Sequence, residues 1–178
     1  MKLSGRSLKR RLYGLKTLPS RVARARYFRG HGVHSPFVYA IVRQVFMKRE
    51  LRDGDRSLYE RLTAAGYPRR RAVQLQNLAI HCGYALCEID RLPESCDFCL
   101  LTPAVDDAAT RRIVDRAANQ GTTLALMAPC QGRERAELCR RLIEAHRGTT
   151  VDNRAYLLIF NNLFFLMIRR PPRSTPKP

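Results

Sequence analysis

Apolar positions are most regularly spaced between residues 96 and 161, where short continuous runs alternate with helix-like stripes. Residues 96–102 read as a buried strand, 106–120 as a helix, 122–128 as a second strand and 131–147 as a second helix. Two short apolar strands follow at 149–153 and 155–161. Buried strands joined by helices of this length need crossover connections, which set the strands parallel in one sheet. The last two strands have almost no chain between them and are expected to pair antiparallel. The fold class predicted is α/β, and this stretch supplies half of an open α/β domain.

The region before it reads as helical. Ser35 ahead of Pro36 is a helix start, with a capping hydroxyl followed by a residue whose missing N–H costs nothing in the first turn. Phe37, Val38, Ile41, Val42, Val45 and Phe46 then fall on one face of a helix expected to reach about residue 50. A second helix is predicted over 55–65, capped by Asp55 and ended by Gly66. A third spans 69–81 after Pro68, with Ala72, Leu75, Leu78 and Ala79 inward. Residues 84–89 read as a short strand.

Charge divides the chain of 178 residues, whose net charge is +18, into three parts. Residues 1–49 hold 13 Lys and Arg and no acid, residues 50–162 hold 16 basic and 15 acidic residues, and residues 163–178 hold four basic residues and no acid. The predicted organisation is a basic helical arm over 1–50, a near-neutral α/β domain over 51–162, and a tail over 163–178. In the arm, Leu8, Leu12 and Leu15 recur at helical spacing among Lys9, Arg10, Arg11 and Lys16, and Arg24 and Arg26 follow. Such a segment can lie along nucleic-acid phosphates or an anionic membrane surface, or pack its leucines on its own domain. Its Arg-rich, acid-free composition also suits a transit peptide.

Six cysteines lie within helix and strand patterns with no secretory signal ahead of them, which favours thiols in a reducing cytoplasm. Cys82, Cys87, Cys96 and Cys99 with His81 invite a metal reading. Cys96 and Cys99, three apart in one predicted strand, are expected on opposite faces, so no metal site is assigned. His31 and His34 flank Val33 without a third ligand and are read as helix-capping or docking residues. Cys130, at a strand-to-helix turn, is a candidate nucleophile without an indicated base.

The run Arg29-Gly30-His31-Gly32-Val33-His34-Ser35-Pro36-Phe37-Val38-Tyr39 resembles the N-terminal signature of a bacterial group of class I S-adenosylmethionine-dependent methyltransferase-like proteins. The segment 132–161 is similar to that group's end, with a charged helix, a pair like His146-Arg147, an acid like Asp152 and an apolar closing strand. The two matches cover about a third of the chain. The resemblance implies a partial Rossmann-like methyltransferase sheet behind a basic helical N-terminal region, S-adenosylmethionine as cofactor and an unknown methyl acceptor. Between the matches the pattern departs from the family. No predicted strand ends in a glycine-rich turn, and the one G-x-G, Gly30-His31-Gly32, follows no strand.

The nearest candidates for an acid that would hold the cofactor ribose are Glu88 and Asp90, after the short strand. The favoured reading of both is as exposed turn acids beside Arg91. Asp106, with Asp107, follows the strand at 96–102, where α/β enzymes place chemistry, and is also placed to cap the next helix. No catalytic residue is indicated. The functional expectation is methyl transfer by an enzyme or an inactive relative. The alternative is a non-catalytic nucleic-acid-binding protein acting through Lys9, Arg10, Arg11, Arg24 and Arg26. Residues 163–175 resemble translated sequencing-adapter read-through, so the native chain is expected to be cut near Asn161 or Asn162. The apolar run 156–168 is too short to span a bilayer.

Overall fold

Ser35 caps the first described helix as its spacing predicts. Its Oγ accepts from the Val38 N–H at 3.4 Å and its carbonyl from the Tyr39 N–H at 2.9 Å, with Pro36 in the first turn. The computed structural model describes residues 35–161, so the arm through His34, with Lys9, Arg10, Arg11, Arg24 and Arg26, and the tail from Asn162 lie outside the described residues.

Helix α1 (Pro36–Ile41) runs into a wider turn over Val42–Phe46, closed by Met47 N–H to Val42 C=O at 3.0 Å. It stops there and not near residue 50 as predicted. The Phe46 carbonyl, which a further helical turn would use, accepts from Gln74 Nε2 at 2.9 Å. The predicted apolar face is nonetheless the one buried, with Ile41 and Val45 fully covered. Helix α2 (Ser57–Ala64) begins where Asp55 accepts from the Ser57 N–H and hydroxyl. It ends in a left-handed Gly66 (φ +78°), with Tyr67 N–H reaching back to Leu62 C=O.

Helix α3 (Arg69–Cys82) departs most from its predicted amphipathic form. Ala72, Leu75, Leu78 and Ala79 are buried as expected, but so are Gln74, Gln76 and Asn77. Each amide has partners. Gln74 holds the Phe46 carbonyl, Gln76 Oε1 takes the Tyr59 N–H at 2.8 Å, and Asn77 bridges the Arg52 N–H and Glu50 C=O at 2.9 Å each. The helix is therefore a polar spine that fixes the irregular chain between α1 and α2. Buried amides are tolerated when satisfied in this way.

The strands are β1 (Cys87–Ile89), β2 (Phe98–Leu101), β3 (Thr123–Met127), β4 (Thr149–Asp152) and β5 (Tyr156–Phe160), in the sheet order β1-β2-β3-β5-β4. β1, β2 and β3 are parallel; β5 lies antiparallel to both β3 and β4, as the short connection predicts. Helices α4 (Asp107–Gln120) and α5 (Arg133–Ala145) follow β2 and β3. Each predicted element of this half is present and is trimmed by one to two residues at most of its ends. Among the described residues no strand precedes β1. The mixed α/β class is thus observed.

Side-chain alternation sorts the sheet between two cores. Phe98, Leu100, Ala125, Tyr156, Leu158 and Phe160 face α1, α2 and α3; Cys99, Leu101, Leu124, Leu126, Leu157 and Ile159 face α4 and α5. Phe37 from the first resembling segment packs edge-on against Phe160 from the second, with ring centroids 5.0 Å apart. At Gly148 an added Cβ would stand 2.5 Å from His146 Nε2 and 2.9 Å from the Phe160 carbonyl oxygen. Only glycine lets that turn approach β5 so closely. His146 Nε2 itself lies 3.2 Å from the same carbonyl, to which it donates.

Candidate functional site

In an open α/β sheet the crevice outside the carboxyl ends of the parallel strands is where ligands bind. β1 ends there in Asp90, whose φ of +60° is left-handed, a conformation Asp tolerates better than most side chains. Asp90 is tied to the end of β2. Its Oδ1 accepts from the Thr102 N–H at 2.6 Å and its Oδ2 from the Thr102 hydroxyl at 2.7 Å. Thr102 Oγ1 in turn accepts from the Ala104 N–H at 3.1 Å. Tyr67, from the end of α2, completes the group. Burial pushes its phenol up, the Asp90 charge adds to this, and a hydrogen bond with Thr102 opposes it. Tyr67, Asp90 and Thr102 therefore meet at the sheet's carboxyl edge, although they are distant in sequence.

Glu88 points elsewhere. Its carboxylate is held by Arg91 Nε at 3.0 Å and Arg61 Nη2 at 3.2 Å, and the Arg91 hydrogen bonds hold it below the usual carboxylate range. Arg61 also donates to the Cys87 carbonyl at 2.7 Å, which covers part of the open edge of β1. Glu88 is thus engaged in the ion pair with Arg91 that a turn acid makes. Asp106 caps α4, accepting from the Ala109 N–H at 2.7 Å. Asp107 lies 3.6 Å from Arg135 Nη1, across from the first turn of α5.

The expected opposition of Cys96 and Cys99 is not observed. Cys96 precedes β2, in a turn set by Asp97, whose Oδ2 accepts from the Ala85 and Leu86 N–H groups at 2.9 Å each. Both thiols therefore bury on the same side of the sheet. Each has a carbonyl partner at 3.2 Å, Phe98 for Cys96 and Arg91 for Cys99. Burial pushes the Cys82, Cys87 and Cys99 thiols up to about 12 and Cys139 to about 11, so they stay protonated at neutral pH. Among the described residues no group of three or more His, Cys, Asp or Glu is placed to hold a metal ion. Cys130 is exposed in the turn before α5. His81 accepts from Arg52 Nη1 at 3.2 Å and is lowered by burial and by the Arg52 charge. It braces the loop before α2.

Asp90 stands at the carboxyl end of β1, and each of its oxygens has a lone pair left beyond its bond to Thr102. Among the described residues no glycine turn accompanies it at this edge. No glycine occurs between Gly83 and Gly121, so the carboxyl ends of both β1 and β2 carry Cβ atoms throughout and give no bare backbone for close approach. Among the described residues no helix is long and apolar enough to cross a membrane. The chain matches no protein-family model, no curated protein and no solved structure.

Proposed function

We propose that the protein is a class I S-adenosylmethionine-dependent methyltransferase-like protein, of unknown acceptor, whose cofactor-binding half is shortened so far that it is an inactive relative. The observation that carries this reading is the join between the two resembling segments. Ser35 caps α1 and Phe37 packs on Phe160 of the closing strand, so the described part of the N-terminal signature, residues 35–39, lies against the strand that ends the C-terminal pattern. The order of parallel strands followed by an antiparallel closing pair agrees with the carboxyl half of such a domain. In a complete domain S-adenosylmethionine supplies an electrophilic methyl group, and the protein binds and orients it beside a nucleophile.

On this reading Asp90 is the retained ribose acceptor, Thr102 fixes its carboxylate, and Glu88 and Asp106 serve the ion pair and the helix cap. The missing part is the glycine turn. Thermal denaturation with S-adenosylhomocysteine tests it. A ligand that binds the native state raises the melting temperature by mass action. No rise is expected at about 1 mM ligand, where a micromolar site would contribute about 4 kcal/mol; a rise of several degrees would show a working crevice.

A second reading follows from the charge distribution. The acid-free stretch of residues 1–49, with 13 basic side chains, suits a nucleic-acid-binding arm on a folded scaffold, with Lys9, Arg10, Arg11, Arg24 and Arg26 on phosphates. Affinity for RNA or DNA would then fall steeply with salt, whereas cofactor binding would not.

A further inference from the structure

Arg135 is buried to 8% exposure in the first turn of α5, and two of its guanidinium nitrogens, Nε and Nη2, are covered and have no hydrogen-bond partner. Only Nη1 is engaged, at 3.3 Å from Thr110 Oγ1 and 3.6 Å from Asp107 Oδ1. The latter is long against the roughly 2.7–2.9 Å of a charge-assisted hydrogen bond. Nε and Nη2 form the side edge of the guanidinium, the fork that takes two oxygens of one oxyanion in parallel.

The surroundings also call for negative charge. β2 and β3 are parallel neighbours, so α4 and α5 both begin at the carboxyl edge of the sheet and lie on the same face. Helix N-termini carry partial positive charge. A buried cation between two of them is poorly balanced by one carboxylate that is itself 44% exposed. The first turn of α4 is capped by Asp106, but α5 starts at Gly132 with no side-chain cap. Its cap residue, having no side chain, supplies no acceptor to the first N–H groups.

We propose that the N-terminal turns of α4 and α5 form a site for a phosphate-type oxyanion, gripped by the Nε and Nη2 edge of Arg135 and by the first N–H groups of α5. Asp107 is the competing charge. Its carboxylate, 3.6 Å from Nη1, lies beside the fork and opposes a dianion held there. The shared chemistry is a phosphate group, either free or carried as a monoester on a larger molecule. The site does not depend on the methyltransferase reading and would stand if that reading failed.

The test is a titration of the full chain with inorganic phosphate, and in parallel with phosphoserine, at constant ionic strength, followed through arginine Nε–H resonances. The Arg135 signal is identified by its absence from Arg135→Lys. It is expected to shift saturably. Asp107→Asn should tighten binding about fivefold, the scale of one removed exposed ion pair. Arg135→Lys, which keeps the charge and loses the fork, should weaken binding about tenfold, read in both proteins through the backbone amide shifts of the first turn of α5. Tighter binding of phosphoserine would identify a carried phosphate, and equal affinity the free ion. A linear, unsaturated response, or identical affinity in wild type and Asp107→Asn, would overturn the proposal. Asp107 is part exposed, so its variant folds even if the Arg135 variant does not.

Discussion

Replacing Asn77 by Ala probes the polar spine most directly. Asn77 is fully buried, and its amide makes two hydrogen bonds of 2.9 Å, accepting from the Arg52 N–H and donating to the Glu50 carbonyl. Alanine leaves both backbone groups without that partner. Each lost bond costs on the order of 0.5–1.5 kcal/mol net. The loop is part exposed, so water re-satisfies some of this, while the vacated amide volume adds a small packing loss. The expected destabilisation is about 2–3 kcal/mol. For a chain of this size it corresponds to a melting temperature lower by roughly 5–10 °C.

Urea denaturation followed by circular dichroism gives the free energy, with the slope expected to stay constant. Asn77→Asp sharpens the test. It keeps the acceptor for Arg52 and replaces the donor to Glu50 with a buried charge, so it should be no more stable than Asn77→Ala at neutral pH. It should recover as the pH falls and the carboxyl takes up a proton that can be donated. A loss below about 0.5 kcal/mol in Asn77→Ala, the range of ordinary surface substitutions, would refute the claim that α3 holds the preceding loop in place.

Gly148→Ala should destabilise by about 1–3 kcal/mol through overpacking against His146 and Phe160, measured by the same denaturation. His146→Ala in the same chain should relieve part of it, giving a non-additive pair. His81 is lowered in the folded state, so the unfolded chain binds its proton more readily. Its contribution is full above the ordinary histidine value of about 6.5 and is lost as pH falls below it. The stability difference between wild type and His81→Asn should shrink over that window. Ellman's reagent should modify exposed Cys130 quickly and the buried Cys82, Cys96, Cys99 and Cys139 only at the rate of opening. Equal reactivity of all of these would contradict the burial described.

The half from β2 onward was legible because its local signals agree. Strand runs such as Phe98–Leu101 are continuous and buried, Asp106 stands where a cap belongs, and Gly121 ends α4 in a left-handed turn. What could not be read depends on contacts between distant residues. No glycine or proline marks the end of the wider turn after α1 at Phe46, where Gln74, 28 positions later, takes the carbonyl. Nothing in the 3.6-residue pattern of α3 distinguishes a buried Gln or Asn with partners from an exposed one.

Cys96 was misplaced because Asp97 turns the chain just before β2, which breaks the alternation assumed for a longer strand. At the carboxyl edge, Asp90 was identified as a candidate from its place after a strand. Its partners Thr102 and Tyr67 were not, since a threonine closing an apolar strand and a tyrosine after Gly66 carry no local sign of convergence. Arg135 read as one charge among many on α5, and only its burial sets it apart.

Isothermal titration of S-adenosylmethionine and S-adenosylhomocysteine into the full chain, repeated with Glu88→Ala and Asp90→Ala, tests the central claim most directly. A sheet that keeps Asp90 without a glycine turn should give no saturable heat with either ligand. Micromolar binding lost in Asp90→Ala and kept in Glu88→Ala would contradict that claim and show an intact cofactor crevice.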